Sequence, residues 1–278
     1  MNPALLGLFS ALTYGVGDFL AGLASRSDPP LRVVALSHPL AALALALVAA
    51  MLGQPLPPTG DLLWGASAGA VGLVAVLAFY KALAVGPMGA VSVGAGALSA
   101  AVPVAVGVLG GEALGTLGWL GAALVLVGTA LLSFAPGVGP KGAPGQSGVG
   151  LGLLAGLGFG FFFVMLGQAQ TPSGTLWTLT AARTTSSLIA LPITIFTVGL
   201  KPRKPALILG SAPGDLLGNL FYLLSVQGGG LAIGALLTSL YPAFTTLLAV
   251  GVLRERLRRT QWGGVVLALA GAALLTAK

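Results

Sequence analysis

The chain has no cysteine, a single histidine and only 7% charged residues across its 278 positions. The absence of cysteine excludes disulfides, thiol chemistry and Cys-ligated metals. One histidine and six carboxylates leave little with which to build a metal site, so neither a metal nor any other cofactor is expected. Also missing are a Ser-His-Asp spacing, an HExxH motif, a Walker motif and a large soluble domain, which argues against an enzyme and against ATP-driven pumping. Gly94-Ala95-Gly96 and Gly228-Gly229-Gly230 follow no strand of a soluble domain and do not read as phosphate loops. The long apolar runs lack the alternation, over roughly ten residues, that a membrane barrel requires.

What is there is apolar side chain, 56% of the sequence, and such a chain cannot fold in water without a very large exposed apolar surface. It is read as an integral membrane protein. A hydrocarbon core about 30 Å thick needs about 20 apolar residues per helix. Cutting the chain at its polar, Pro and Gly clusters gives ten such segments, near 3–24, 31–53, 61–85, 88–110, 116–134, 149–170, 175–199, 206–228, 230–252 and 260–277. The first does not read as a signal peptide, because no Lys or Arg precedes it and Asp18 interrupts it.

The net charge of +7 is a matter of topology. Segment order puts Arg26, Arg32, Lys81, Lys141, Lys201, Arg203, Lys204, Arg254, Arg256, Arg258 and Arg259 on one side, Lys278 on the other, and Arg183 inside the membrane. The positive-inside rule then places those basic loops in the cytoplasm and both termini outside, in the periplasm or its equivalent, across a plasma (inner) membrane. The expected partners are a small-molecule substrate and the lipid bilayer, whose anionic headgroups meet the basic loops. Nucleic acid is not expected, and a monomer is the simplest assembly.

Two stretches about 143 residues apart are nearly the same. Glu112-Ala113-Leu114 leads to Trp119, Gly121, Leu124, Leu126, Gly128 and Ala130, as Glu255-Arg256-Leu257 leads to Trp262, Gly264, Leu267, Leu269, Gly271 and Ala273. Gly7-Leu8 with Leu12, Tyr14 and Gly15 is echoed by Gly152-Leu153 with Leu157, Phe159 and Gly160, and Phe79-Tyr80 by Phe221-Tyr222. The reading is an all-α polytopic membrane protein of ten transmembrane helices: a first five-helix repeat over 1–135, a Pro- and Gly-rich cytoplasmic linker over 136–148, and a second repeat over 149–278. Five being odd, the second copy is inverted relative to the first. Inverted repeats that line a shared midplane site are a recurring design of secondary transporters.

Each half ends in a helix of Pro and small residues, an acidic turn (Gly111-Glu112-Ala113-Leu114 or Arg254-Glu255-Arg256-Leu257) and a Trp-Gly-rich closing helix, and Thr13-Tyr14-Gly15-Val16-Gly17-Asp18-Phe19 lies in the first helix. This resembles the drug/metabolite transporter superfamily, in its ten-helix EamA-type branch that includes the YddG amino-acid exporters. The resemblance implies helices 1–4 and 6–9 around a central cavity with helices 5 and 10 peripheral, and alternating-access export of amino acids or related small metabolites. Exporters of lipophilic cations and carriers of nucleotide sugars belong to the same superfamily. Glu112 and Glu255 carry over as structural residues.

Site candidates come from ionisable and polar groups inside the membrane, which are costly there and default to function. Ser10, Tyr14 and Asp18 share one helix face by i, i+4 spacing. Thr180, Arg183, Thr184 and Ser187 form a second stripe, and Ser211, Asp215, Asn219 and Tyr222 a third. Helix 4 offers Ser92, Gly96 and Ser99, and helix 9 offers Thr238, Tyr241 and Thr245. Aligning the halves through Gly7 and Gly152 sets His38 opposite Arg183, and two readings stand. In one, both bases face the shared axis and Arg183 holds an anionic group of the substrate. In the other, Arg183 neutralises Asp215 and His38 neutralises Asp18. The substrate-cavity candidates are therefore Tyr14, Asp18, His38, Tyr80, Ser99, Arg183, Asn219, Tyr222 and Tyr241, with Asp18 and His38 as the pair for proton coupling. Movement down a gradient without an ion stands equally. Lys81 lies near a helix end and reads as a snorkelling anchor, and Trp64, Trp119, Trp177 and Trp262 as an interfacial belt. Pro39, Pro103, Pro192, Pro213 and Pro242 are expected inside helices, with Pro103 and Pro242 the preferred hinges.

Overall fold

The computed structural model describes residues 2–86, 88–133, 148–254 and 259–276, and every regular element among them is a helix. In chain order these are α1 (Pro3–Ser25), α2 (Pro30–Met51), α3 (Thr59–Val85), α4 (Met88–Leu109), α5 (Gly115–Ser133), α6 (Gly148–Gly167), a 3-10 turn (Pro172–Gly174), α7 (Thr175–Thr197), α8 (Pro205–Gly229), α9 (Leu231–Thr238), α10 (Tyr241–Leu253) and α11 (Arg259–Thr276). Among the described residues α1, α2, α3, α6, α7, α8 and the α9–α10 pair are long and apolar enough to cross a membrane, and α4 and α5 carry shorter apolar stretches. The starts follow the sequence. Asn2 Oδ1 accepts the Ala4 N–H at 2.9 Å, and Pro3, Pro30 and Pro205 occupy first turns where no N–H is needed. The expected linker, apart from Gly148 at the head of α6, and the acidic turn at Glu255 lie outside the described residues.

The ninth segment departs from expectation. It is two helices, broken at Ser239–Leu240, and Pro242 lies in the first turn of the second rather than inside a continuous span. The ring of Pro242 removes a donor and collides with the carbonyl four residues back, so α9 closes with a tight turn and α10 starts afresh. Pro39, Pro103 and Pro192 and Pro213 do lie within α2, α4, α7 and α8.

Packing is dominated by α1 against α8, α3 against α6, α4 against α6 and α2 against α7, while α5 and α11 pack chiefly on each other. Lipid offers no hydrophobic drive between helices, so close contact depends on small residues. At the α1–α8 crossing a Cβ on Gly214 would lie 2.5 Å from the Gly17 Cα, so the two backbones touch. Outward faces stay apolar: Leu40, Leu43 and Leu47 of α2 and Leu188 and Phe196 of α7 are exposed, as lipid contact requires.

Two carboxylates tie the ends of the bundle. Glu112, in the α4–α5 turn, accepts the Leu231 and Ala232 N–H groups at 2.7 and 2.8 Å and so caps the N-terminus of α9. Gly230 turns into that helix at φ +89, and a Cβ there would meet the carboxylate at 3.0 Å. At the opposite end, Asp28 in the α1–α2 loop is buried. It accepts from Arg32 Nη1 at 2.9 Å and from the backbone N–H groups of Arg203 and Lys204 at 3.0 Å. Arg32 also donates to the carbonyls of Gly199, at 2.8 Å, and Val198. One ion pair thus fastens the α1–α2 loop to the α7–α8 loop.

Two outcomes follow from these ties. Glu112→Ala leaves two helix-end donors without their charged acceptor and is expected to cost about 2–3 kcal/mol, read as a lower unfolding midpoint of the purified protein in detergent. Burial raises the Asp28 carboxyl, but the bonds from Arg32, Arg203 and Lys204 outweigh it and hold the group below the ordinary carboxylate value. Its contribution is therefore present above the unfolded value, about 3.9, and is lost as pH falls through the folded one. Wild type and Asp28→Asn should differ in thermal stability at neutral pH and converge in strong acid.

Candidate functional site

Three polar faces meet where α1, α7 and α8 converge. On α1, Ser10 donates to the Gly218 carbonyl at 2.8 Å, and the Tyr14 ring lies against Gly218, where a Cβ would come within 2.6 Å of it. One turn further, Asp18 faces the same space. Arg183 enters from α7 and pairs with Asp215 of α8, Nη2 to Oδ1 at 2.8 Å, with 7% and 18% of the two side chains exposed. Asn219 steadies that carboxylate from one turn away, donating to its Oδ1 at 3.2 Å and to the Asp215 carbonyl at 2.7 Å.

Tyr14, Asp18, Arg183, Asp215 and Tyr241 line one cavity with Gly72 and Val76 of α3 and Phe159, Phe162 and Phe163 of α6. Its walls are aromatic: Tyr14 packs against Phe163 at 6.2 Å between ring centroids and against Tyr241 at 6.4 Å. The free volume is about 30 Å³, room for water rather than for a metabolite. The Tyr14 and Tyr241 hydroxyls, both buried, and Asn219 Oδ1 have no hydrogen-bond partner of good geometry. Buried polar atoms of this kind are costly unless something satisfies them.

Of the residues singled out from sequence, Tyr14, Asp18, Arg183, Asp215 and Tyr241 come together here, and Asn219 acts on the cavity through Asp215. The others do not line it. Tyr222 donates to the Phe163 carbonyl at 2.6 Å with its ring on Phe163 at 4.5 Å, which fixes the aromatic wall from behind. Tyr80 is buried beside Phe79. Ser99 donates to the Gly96 carbonyl at 3.0 Å within α4. His38 bonds across the α2–α7 contact, its Nδ1 2.8 Å from Ser186 Oγ. Ser186 Oγ also lies 3.0 Å from the Arg183 carbonyl, so this hydroxyl links the His38 ring to the backbone of α7. No hydrogen bond or ion pair joins His38 to Asp18 among the described residues. Arg183 does pair with Asp215, as the structural reading required.

Sequence reasoning passed over Phe159, Phe162 and Phe163. The signal was available, because spacings of three and four residues set all three on one face of α6. Among the described residues no group of three His, Asp or Glu side chains is placed to hold a metal ion. What the arrangement offers chemically is one guanidinium and two carboxylates in an aromatic enclosure, with orphan hydroxyls on two sides.

The Arg183–Asp215 pair is expected to show its interdependence in stability. Arg183→Ala leaves Asp215 buried without a counter-charge and should cost about 3–5 kcal/mol. The double variant Arg183→Ala/Asp215→Ala should recover a large part of that loss, which a double-mutant cycle of unfolding midpoints measures.

No curated protein matches the chain. Among solved structures, one titled "Crystal structure of protein" aligns with a TM-score of 0.70 at 19% identity, over 98% of this chain and 95% of that chain; the likeness shows the fold. The sequence model of the EamA-like transporter family matches residues 1–134 and 146–277, nearly the whole length and once in each half. The chain therefore belongs to the EamA-like transporter family, and is a multi-pass membrane transporter of the drug/metabolite transporter superfamily.

Proposed function

We propose that the protein is a secondary carrier that exports small metabolites, amino acids first among them, by alternating access between two inverted halves. The observation that carries this reading is the cavity, whose walls come from both halves and which holds both signs of charge. α1 and α3 supply Tyr14, Asp18, Gly72 and Val76, and α6, α7, α8 and α10 supply the rest. An ammonium group finds a carboxylate in Asp18. A carboxylate finds Arg183, whose guanidinium has donors beyond the one given to Asp215. The aromatic walls suit an apolar or aromatic side chain.

Inversion is supported by the packing. Under a five-helix repeat α1 corresponds to α6 and α3 to α8, so α1 on α8 and α3 on α6 are equivalent contacts, and both are extensive. The same holds for α4 on α6 and α10 on α1. The free volume implies that the cavity widens to take substrate, as a carrier passing between open states does. The orientation read from the charges, with both termini outside, makes the basic end cytoplasmic, and export is the direction that the resemblance to the superfamily's exporters implies.

A second reading, an exporter of lipophilic cations, draws on Asp18. Among the described residues it makes no hydrogen bond or ion pair, and five aromatic residues line the same cavity. A cation over aromatic faces beside a free carboxylate is a well-matched ligand.

The test is uptake by the purified protein in liposomes, using labelled amino acids and a bulky organic cation, with and without a pH gradient. Saturable amino-acid uptake is expected; cation movement alone would favour the second reading. Asp18→Asn is expected to lower uptake at least about tenfold, the worth of one charged hydrogen bond, and to abolish any response to the gradient. A retained response would remove Asp18 from coupling.

A further inference from the structure

We propose that the protein carries a separate anion site at its basic end, in the recess between the α1–α2 and α7–α8 loops, which takes a phosphate group. The recess has a volume of about 500 Å³, within the range of small-molecule sites. Four cations line it, Arg26, Arg32, Lys81 and Arg203, from three separate parts of the chain. Asp28 is the carboxylate in the wall, and its charge is spent. Both of its oxygens are engaged, by Arg32 and by the backbone N–H groups of Arg203 and Lys204. Arg32 is spent too, since its other nitrogens donate to the Gly199 and Val198 carbonyls.

Three cationic heads therefore remain, Arg26, Lys81 and Arg203, none of them in an ion pair among the described residues. They surround a recess whose rim is pinned by a buried network rather than left to loose loops. Like charges converging on one enclosure repel, and the arrangement is favourable once an anion enters it. Basic loops needed only for orientation would not require this convergence, because the positive-inside rule counts charges without placing them. Phosphate is the matching chemistry: guanidinium forks bind its oxygens in pairs and an ammonium adds a point charge. The recess lies at the helix ends, at the level of lipid headgroups. The group can accordingly belong to an anionic lipid or to a soluble phosphate.

The experiment uses the full chain in neutral detergent. Retention of phosphatidylglycerol and of phosphatidylcholine is measured by native mass spectrometry, and the unfolding midpoint is followed with inorganic phosphate against chloride at constant ionic strength. The variants are Arg26→Gln/Lys81→Gln/Arg203→Gln and, for the same change in net charge at cations that do not line the recess, Lys201→Gln/Arg254→Gln/Arg259→Gln. Phosphatidylglycerol held at least about tenfold better than phosphatidylcholine, with the preference lost in the first variant and kept in the second, supports the site with a lipid as its source. Stabilisation by inorganic phosphate with the same variant pattern supports it with a soluble source. Should the first triple variant fail to fold, Arg26→Gln and Arg203→Gln singly serve the same comparison. Equal behaviour of the two variant sets, or no preference for either phosphate source, overturns the proposal.

Discussion

The contact on which the site depends is the crossing of α1 and α8 at Gly17 and Gly214. In lipid two helices gain little from burying apolar side chains against each other, and they hold together through close packing and polar bonds. Here the backbones approach until a Cβ on either glycine would meet the other helix, and the Ser10 hydroxyl reaches the Gly218 carbonyl one turn away. That approach lays the Tyr14 ring on Gly218 and brings Asp18 and Asp215, each next to one of the crossing glycines, to one cavity. A larger residue at the crossing would part the two carboxylates and open the aromatic wall behind them.

The two ends of the bundle are not closed alike. α3 packs on α7 more extensively than α2 packs on α8, although these pairs are equivalents under the proposed repeat. The tight contact runs through Gly65 and Gly69, which leave no room for a Cβ against the Thr178 and Ala182 carbonyls, at the end away from the basic loops. Beside it the Trp177 indole donates to the Gln54 carbonyl at 2.9 Å, and the Thr171 N–H to Asp61 at 3.0 Å. Under the proposed alternating-access mechanism this inequality is what alternates, the loose pair adopting the packing of the tight one while the tight one relaxes.

Much of the architecture was legible in the sequence because membrane helices have a simple physical signature. Long apolar runs gave the segments to within a few residues, and Pro3, Pro30 and Pro205 marked starts. The ninth segment misled because hydropathy is blind to Pro242, which breaks a helix without interrupting the apolar run. At the site, helical spacing was enough to set Tyr14 with Asp18, and Arg183 within reach of Asp215. Spacing could not place His38, whose partner Ser186 is 148 residues away. Nor could it separate Tyr14 from Tyr222, both tyrosines on polar stripes. One hydroxyl is left open on the cavity and the other is fixed to a backbone carbonyl, a difference set by what lies opposite.

Charge balance links substrate class to energy coupling. With all three groups ionised the cavity holds Arg183 against Asp18 and Asp215, one negative charge in excess, inside a medium where an unbalanced charge is expensive. An organic cation seated by Asp18 cancels that excess and leaves the Arg183–Asp215 pair undisturbed, and once it has left, a proton on Asp18 removes the excess that returns. A zwitterion adds no net charge. Its ammonium satisfies Asp18, but its carboxylate then competes with Asp215 for Arg183, and one carboxylate is left over. The remaining charge is removed by a proton on Asp18 or Asp215, since Tyr14, Tyr241 and Asn219 offer hydrogen bonds and no opposite charge. The empty cavity carries the same excess, so that proton is present with or without a zwitterion and charge does not couple the two, whereas a cation displaces the proton and is exchanged for it.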